Sequence, residues 1–172
     1  MWFVQMRLIL EPESLFMNNP LIFIANTYGV FFFIIFIVIY VSVKEKNREL
    51  ALHTLFSVVT TSFFVLLLKE LFLTPRPFIA ENTTALAGLA WMSSFPSLHA
   101  AIAFAAATTV ALHYSRIGIF LMVIAALIGI GRVVADVHYP IDIAFGILLG
   151  VSISLFFEHA HFKHIRKRKV HH

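Results

Sequence analysis

From Leu21 to Val43 nearly every position is apolar, interrupted only by Asn26, Thr27, Gly29 and Ser42. Similar runs recur at roughly 50–73, 96–114, 117–135 and 140–158, separated by short breaks except for the longer connection 74–95. None alternates with the period of two that marks a half-buried strand, and each approaches the ~20 residues a helix needs to cross a bilayer. The pattern predicts an all-α, polytopic membrane helix bundle of about five transmembrane helices. The third run is rich in alanine (Ala100, Ala101, Ala103, Ala105, Ala106, Ala107), which lets neighbouring helices approach closely and places it centrally. Gly146 and Gly150 form a small-xxx-small pair in the fifth run, read as packing within the bundle. Before the first run, Met1–Phe16 carries Trp2, Phe3 and Arg7 and fits an interfacial segment. No positive cluster and no small-residue cleavage site accompany it, so a removed signal peptide is not expected. No internal repeat divides the chain. One domain is expected over 1–172: an interfacial segment 1–20, a bundle 21–158 and a basic tail 159–172.

Composition sharpens this picture. Hydrophobic residues make up 60% of the 172 and charged residues 13%, far from a soluble domain. The chain has no cysteine, which excludes disulfides and cysteine-ligated metals. A pI near 9.6 would suit a nucleic-acid binder, but the basic residues crowd particular loops, and topology explains them better. Lys44, Lys46 and Arg48 lie between runs one and two, Arg116 between three and four, and Lys163, Arg166, Lys167, Arg168 and Lys169 in the tail. With five spans these segments share one face, which the positive-inside rule makes cytoplasmic. The N-terminus is then outside and the C-terminus inside, in what is expected to be a bacterial cytoplasmic membrane.

The polar residues on the opposite face are the informative ones. Lys69, Glu70 and Arg76 fall at the end of the second run, Pro96-Ser97-Leu98-His99 open the third, and Arg132, Asp136, His138 and Asp142 bracket the last turn. Each has an ordinary reading by itself. Lys69 and Glu70 can snorkel, Arg132 and Asp136 can pair, His99 can cap a helix, and His138 can bond Asp142 across one turn. Together they converge at one depth, where an ionisable group costs about 2.5–3.5 kcal/mol and needs a partner or a purpose. Lys69, Arg76 and Arg132 make a positive pocket suited to a tetrahedral oxyanion. The N–H groups of Ser97, Leu98 and His99 at a helix N-terminus would add donors. Phosphate is the natural ligand. A histidine oriented by a carboxylate can attack phosphorus, which fits His138 with Asp142, and His99 can protonate the leaving oxygen. Charge neutralisation by the three cations supplies the rest, so no metal or other cofactor is required.

These spacings resemble the type 2 phosphatidic acid phosphatase superfamily. Lys69 followed after six residues by Arg76-Pro77 is similar to its first signature, Pro96-Ser97-Leu98-His99 to its second, and Arg132, His138 and Asp142 to its third. The resemblance covers about residues 50–158. It implies a helical membrane lipid phosphatase in which His138 forms a phosphohistidine, Asp142 orients it, and His99 is the general acid. Lys69, Arg76, Ser97, Leu98 and Arg132 would hold the phosphate. Leu98 stands where the family has glycine and Gly131 where it has serine. By analogy the expected substrate is a lipid phosphate or diphosphate. A polyprenyl diphosphate such as undecaprenyl diphosphate is favoured over phosphatidate or phosphatidylglycerophosphate, and nucleic acid is not expected as a partner. A lipid phosphotransferase with the same site and an anion or proton transporter are the alternatives.

Overall fold

The computed structural model describes residues 20–44, 48–80 and 93–170. The expected interfacial segment at the N-terminus lies outside the described residues. Five long helices and one short turn follow in order: α1 (Pro20–Lys44), α2 (Arg48–Leu71), α3 (Pro77–Ala80), α4 (Leu98–His113), α5 (Ser115–Val134) and α6 (Pro140–Val170). They answer to the five apolar runs. The main difference is at the C-terminus, where α6 does not stop near 158 but continues through the basic tail to Val170. Neither proline nor glycine follows Gly150, so the sequence supplies no helix stop there.

Among the described residues three helical segments are long and apolar enough to cross a membrane, namely Glu49–Leu71, Ser115–Val134 and Pro140–Ala160, with shorter apolar helices at Tyr28–Tyr40 and Leu98–His113. The outer surface is apolar. Phe36, Ile39, Phe56, Phe63, Phe120, Leu127, Leu148 and Phe156 are all exposed, as lipid-facing side chains are. The interior sets alanines and hydroxyl-bearing residues beside larger apolar ones such as Val30, Ile37, Leu50 and Val65. This is the distribution of an integral membrane bundle, in which close packing rather than water exclusion holds the helices together.

α4 occupies the centre, packing against α6, α5 and α2. Its 16 residues span only about 24 Å at 1.5 Å per residue, short for a bilayer, but it is wrapped by the longer helices. Ala100, Ala101, Ala103, Ala105, Ala106 and Ala107 are each 0% exposed. Gly146 and Gly150 press against this alanine face. A Cβ built on Gly150 would sit 2.2 Å from the Ala101 carbonyl oxygen, and one on Gly146 would sit 2.7 Å from that of Ser97. The glycine pair is therefore a packing seam between α6 and α4. Hydroxyls tie the same seam lower down. Ser154 donates to the Ala105 carbonyl at 2.8 Å, and Thr109 Oγ1 lies 3.3 Å from the hydroxyls of both Ser57 and Ser154, joining α2, α4 and α6.

The glycines make a paired prediction. Gly150→Ala drives a methyl into backbone and is expected to destabilise the bundle by about 1–3 kcal/mol. An added Cβ at Gly131 meets nothing within 4 Å. Gly131→Ala, on an open part of α5, is expected to be neutral or to stabilise by up to about 1 kcal/mol. Thermal unfolding in detergent separates the two, and equal effects would contradict the seam.

Candidate active site

The C-terminal ends of α2 and α5 and the N-terminal ends of α4 and α6 meet at one end of the bundle. Lys69 sits in the last turn of α2 and is 5% exposed, while its neighbour Glu70 points outward. The Lys69 ammonium donates to the carbonyls of Ser93 at 2.5 Å and Ser94 at 3.2 Å, anchoring the segment that leads into α4. An ammonium carries three donors, so two carbonyls do not exhaust it. Arg76 follows in the loop and is also 5% exposed. Its Nη1 donates to the Val137 carbonyl at 3.3 Å, beside His138. Burial draws the Arg76 guanidinium below its ordinary pKa, and the Asp142 charge opposes that shift.

Arg132 and His138 are joined by a helix-terminating turn. The Val137 N–H donates to the Arg132 carbonyl at 3.2 Å and the Asp136 N–H to that of Val133 at 3.0 Å, the bond pair of a Schellman motif. The residue that must be left-handed in this motif is Asp136, with φ 59°. Glycine is usual there, but aspartate is among the side chains that tolerate it. Asp136 thus has a backbone role in the turn beside the ion pairing expected of it. The turn folds the chain back so that Arg132, 3% exposed, and His138, 3% exposed, come to the same place.

His138 presents Nδ1 to Asp142 Oδ2 at 3.4 Å. Such bonds often tighten only when substrate binds. Oδ2 also accepts from the Tyr139 N–H at 2.9 Å and from the Ser94 hydroxyl in a short contact. With Nδ1 turned to the carboxylate, Nε2 is the nitrogen left to act. Burial lowers the His138 pKa to about 4, the Asp142 hydrogen bond opposes that, and the positive charges of Arg132, Arg76 and Lys69 add to the lowering. The imidazole is therefore neutral at pH 7, as a nucleophile must be.

Ser97 precedes α4 and is 0% exposed, with a hydroxyl that has no hydrogen-bond partner among the described residues. A buried orphan hydroxyl costs about 1–3 kcal/mol, so it marks a place where an acceptor is expected. The Ser97 N–H is not available as a phosphate donor, because it bonds the Asp142 backbone carbonyl at 3.0 Å. Leu98 is in the first turn of α4, and its side chain packs against the apolar core rather than into the charged cluster. Positive φ among non-glycine residues is confined to Asp136 in the described chain, so Leu98 is not strained where the family has glycine. His99 lies one residue on, partly exposed, its ring edge-on to Phe31 of α1 with centroids 6.1 Å apart. The structure thus brings Lys69, Arg76, Ser97, Arg132, His138 and Asp142 into one cluster, with His99 at the α1 side. Among the described residues no three His, Cys, Asp or Glu side chains gather as a metal site would need.

The sequence reading missed Ser94. It is 0% exposed, its hydroxyl lies 3.4 Å from His138 Nδ1 while bonding Asp142, and its N–H donates to the Thr74 carbonyl at 2.8 Å. Two serines precede Pro96, and nothing in spacing alone distinguishes the one that turns inward.

Comparison with known proteins agrees with the geometry. The sequence matches the PAP2 superfamily over residues 50–166. It is 30% identical over 142 residues, 81% of this chain and 70% of the relative, to the bacitracin transport permease protein BcrC of Bacillus licheniformis. It is 24% identical over 148 residues, 86% of this chain and 77% of the relative, to the undecaprenyl-diphosphatase BcrC of Bacillus subtilis (strain 168). The crystal structure of Aquifex aeolicus LpxE superposes with a TM-score of 0.70 at 27% identity, covering 91% of this chain and 94% of that one. That of a PAP2-type phosphatidylglycerolphosphate phosphatase from Bacillus subtilis has the same fold, with a TM-score of 0.63 at 22% identity, covering 94% and 87%. This chain belongs to the PAP2 superfamily and is an integral membrane lipid phosphatase of that family.

Proposed function

We propose that the protein hydrolyses a polyprenyl diphosphate of the undecaprenyl diphosphate type at the outer face of the membrane, through a phosphohistidine on His138. The observation that carries the mechanism is His138 itself, buried and neutral, with Nδ1 given to Asp142 and three cations around it. Nε2 attacks phosphorus in line with the leaving oxygen. Arg132, Arg76 and Lys69 take up the charge of the phosphoryl oxygens, and the Ser97 hydroxyl donates to one of them. His99 protonates the departing lipid phosphate and then, as a base, activates the water that releases phosphate from His138. The Asp142 carboxylate stays ionised and stabilises the cationic phosphohistidine. Ser94 and the Tyr139 N–H hold that carboxylate in place. The substrate class rests on the undecaprenyl-diphosphatase named among the relatives and on the outward topology read from the basic loops.

The bacitracin transport permease named among the relatives supports a second reading, a transport function. Buried charges in a membrane do mark pathways. Against it, Lys69, Arg76, Arg132, His138 and Asp142 all lie at one end of the bundle, and the buried groups deeper down include the neutral hydroxyls of Thr54, Ser57, Thr109 and Ser154.

Phosphate release from undecaprenyl diphosphate in detergent with EDTA decides between them. Wild type is expected to release phosphate, and His138→Ala to lose about a thousandfold or more of the rate. Equal release by both proteins would remove His138 as nucleophile, and no release by either would overturn the polyprenyl diphosphate as substrate; no release from phosphatidate or phosphatidylglycerophosphate as well would favour transport.

The pH profile tests the charge state. His138 must be neutral, so kcat/KM is expected to rise through about pH 4 and not through the ~6.5 of an ordinary histidine. The sign for stability is the same. Between these values the unfolded chain binds a proton that the folded one does not, so stability is lost as pH falls from ~6.5 towards 4 and is measured separately. Ser94→Ala frees the Asp142 charge to act on His138, so the acid limb is expected to move up and kcat to fall about tenfold, with KM little changed. A limb that does not move would reduce Ser94 to a packing residue.

A further inference from the structure

Two apolar grooves run along the helices. One, between α1 and α5, is lined by Phe36, Tyr40 and Phe120 and ends at Arg116, at the opposite end of α5 from the charged cluster. The other lies between α2 and α6, has a volume of about 300 Å³, and is lined by Leu68, Pro96, Phe145, Leu148, Leu149 and Ser152. Three of its lining residues neighbour site residues along the chain. Leu68 adjoins Lys69, Pro96 adjoins Ser97, and Phe145 lies one turn beyond Asp142. From Phe145 to Ser152 the groove descends about 10 Å along α6 at 1.5 Å per residue.

We infer that this groove holds the part of the lipid substrate's hydrocarbon tail nearest the phosphate. The inference rests on the lipid phosphatase reading of the charged cluster and extends it to chain recognition. A lipid phosphate is one molecule with a doubly demanding geometry. Its anion must reach buried cations while its tail stays out of water, so the tail must leave the cluster along an apolar path at the same depth. The α2–α6 groove supplies that path. Its mouth is edged by aromatic rings in edge-to-face contact, Phe72 with Phe95 at 5.6 Å and Phe95 with Phe145 at 4.9 Å. These rings bridge the end of α2 to α6 and hold the Pro96 segment above the groove. Lower down, Ser152 is small and exposed beside the larger Leu148 and Leu149, which recesses the surface there. The α1–α5 groove has the same apolar character but lies toward the opposite end of α5 from the charged cluster, and serves as a control.

The test is hydrolysis of isopentenyl, geranyl and farnesyl diphosphates by wild type, Ser152→Trp and Leu148→Trp, with Phe120→Trp in the other groove. Ser152, Leu148 and Phe120 all face outward, so each substitution enlarges a side chain on the outer surface, where the least repacking is needed. Wild-type kcat/KM is expected to rise with chain length. In the two groove variants the farnesyl-to-isopentenyl ratio should fall about tenfold, as expected when a pocket for several methylenes is filled. In Phe120→Trp it should stay within about twofold. An unchanged ratio in both groove variants, equal loss at every chain length, or no chain-length dependence in wild type would overturn the groove while leaving the phosphatase standing. No release from any substrate by wild type would overturn the phosphatase reading and the groove with it.

Discussion

Lys69, Arg76 and Arg132 are each no more than 5% exposed, and the Asp142 carboxylate acts on Lys69 and Arg76. Burying a charge without compensation costs several kcal/mol, and like charges held together add to that cost. The fold answers locally with backbone. Lys69 takes the carbonyls before Pro96, Arg76 takes that of Val137, and Asp142 gathers Ser94, Tyr139 and His138. What remains is a concentration of positive charge in a buried, preorganised setting, the condition under which a phosphoryl group in transit is stabilised most. Burial depresses the His138 pKa most and the same charges add to it, so the field proposed to hold the anion also helps keep this imidazole neutral.

That arrangement needs four helix ends to stay in register, and the small-residue seam provides it. The alanine face of α4 and the glycines of α6 bring the backbones so close that Ser97 can bond the Asp142 carbonyl and Ser154 the Ala105 carbonyl. Apolar burial between helices is worth little inside a bilayer, where the alternative solvent is equally apolar. Close approach and interhelical hydrogen bonds therefore carry the precision that the chemistry requires. The Schellman turn at Asp136 does the equivalent work within one connection, fixing Arg132 and His138 to each other.

Much of this was legible in the sequence because the constraints involved leave one-dimensional marks. Apolar runs long enough for a bilayer marked every long helix, alanine content marked α4 as central, and ionisable residues in apolar surroundings marked Lys69, Arg76, Arg132, His138 and Asp142. The last span ends at Ala160, close to the expected 158, while α6 itself runs on to Val170, because a change from apolar to basic composition ends a span without ending a helix. Ser94 was missed because its direction is set by the turn into α4, and the engagement of the Ser97 N–H because it depends on how closely α6 approaches at Gly146.

Nucleophilic catalysis by a histidine predicts a covalent species that neither a transporter nor a water-attacking hydrolase would form. Rapid acid-free quenching of the protein with diphosphate substrate labelled on its terminal phosphate, followed by peptide mass spectrometry, looks for it. Acid-labile, alkali-stable phosphate on the peptide holding His138, accumulating in His99→Ala if that residue activates the releasing water, is the expected result. Steady turnover with no phosphate on His138, in wild type and in His99→Ala alike, would contradict it.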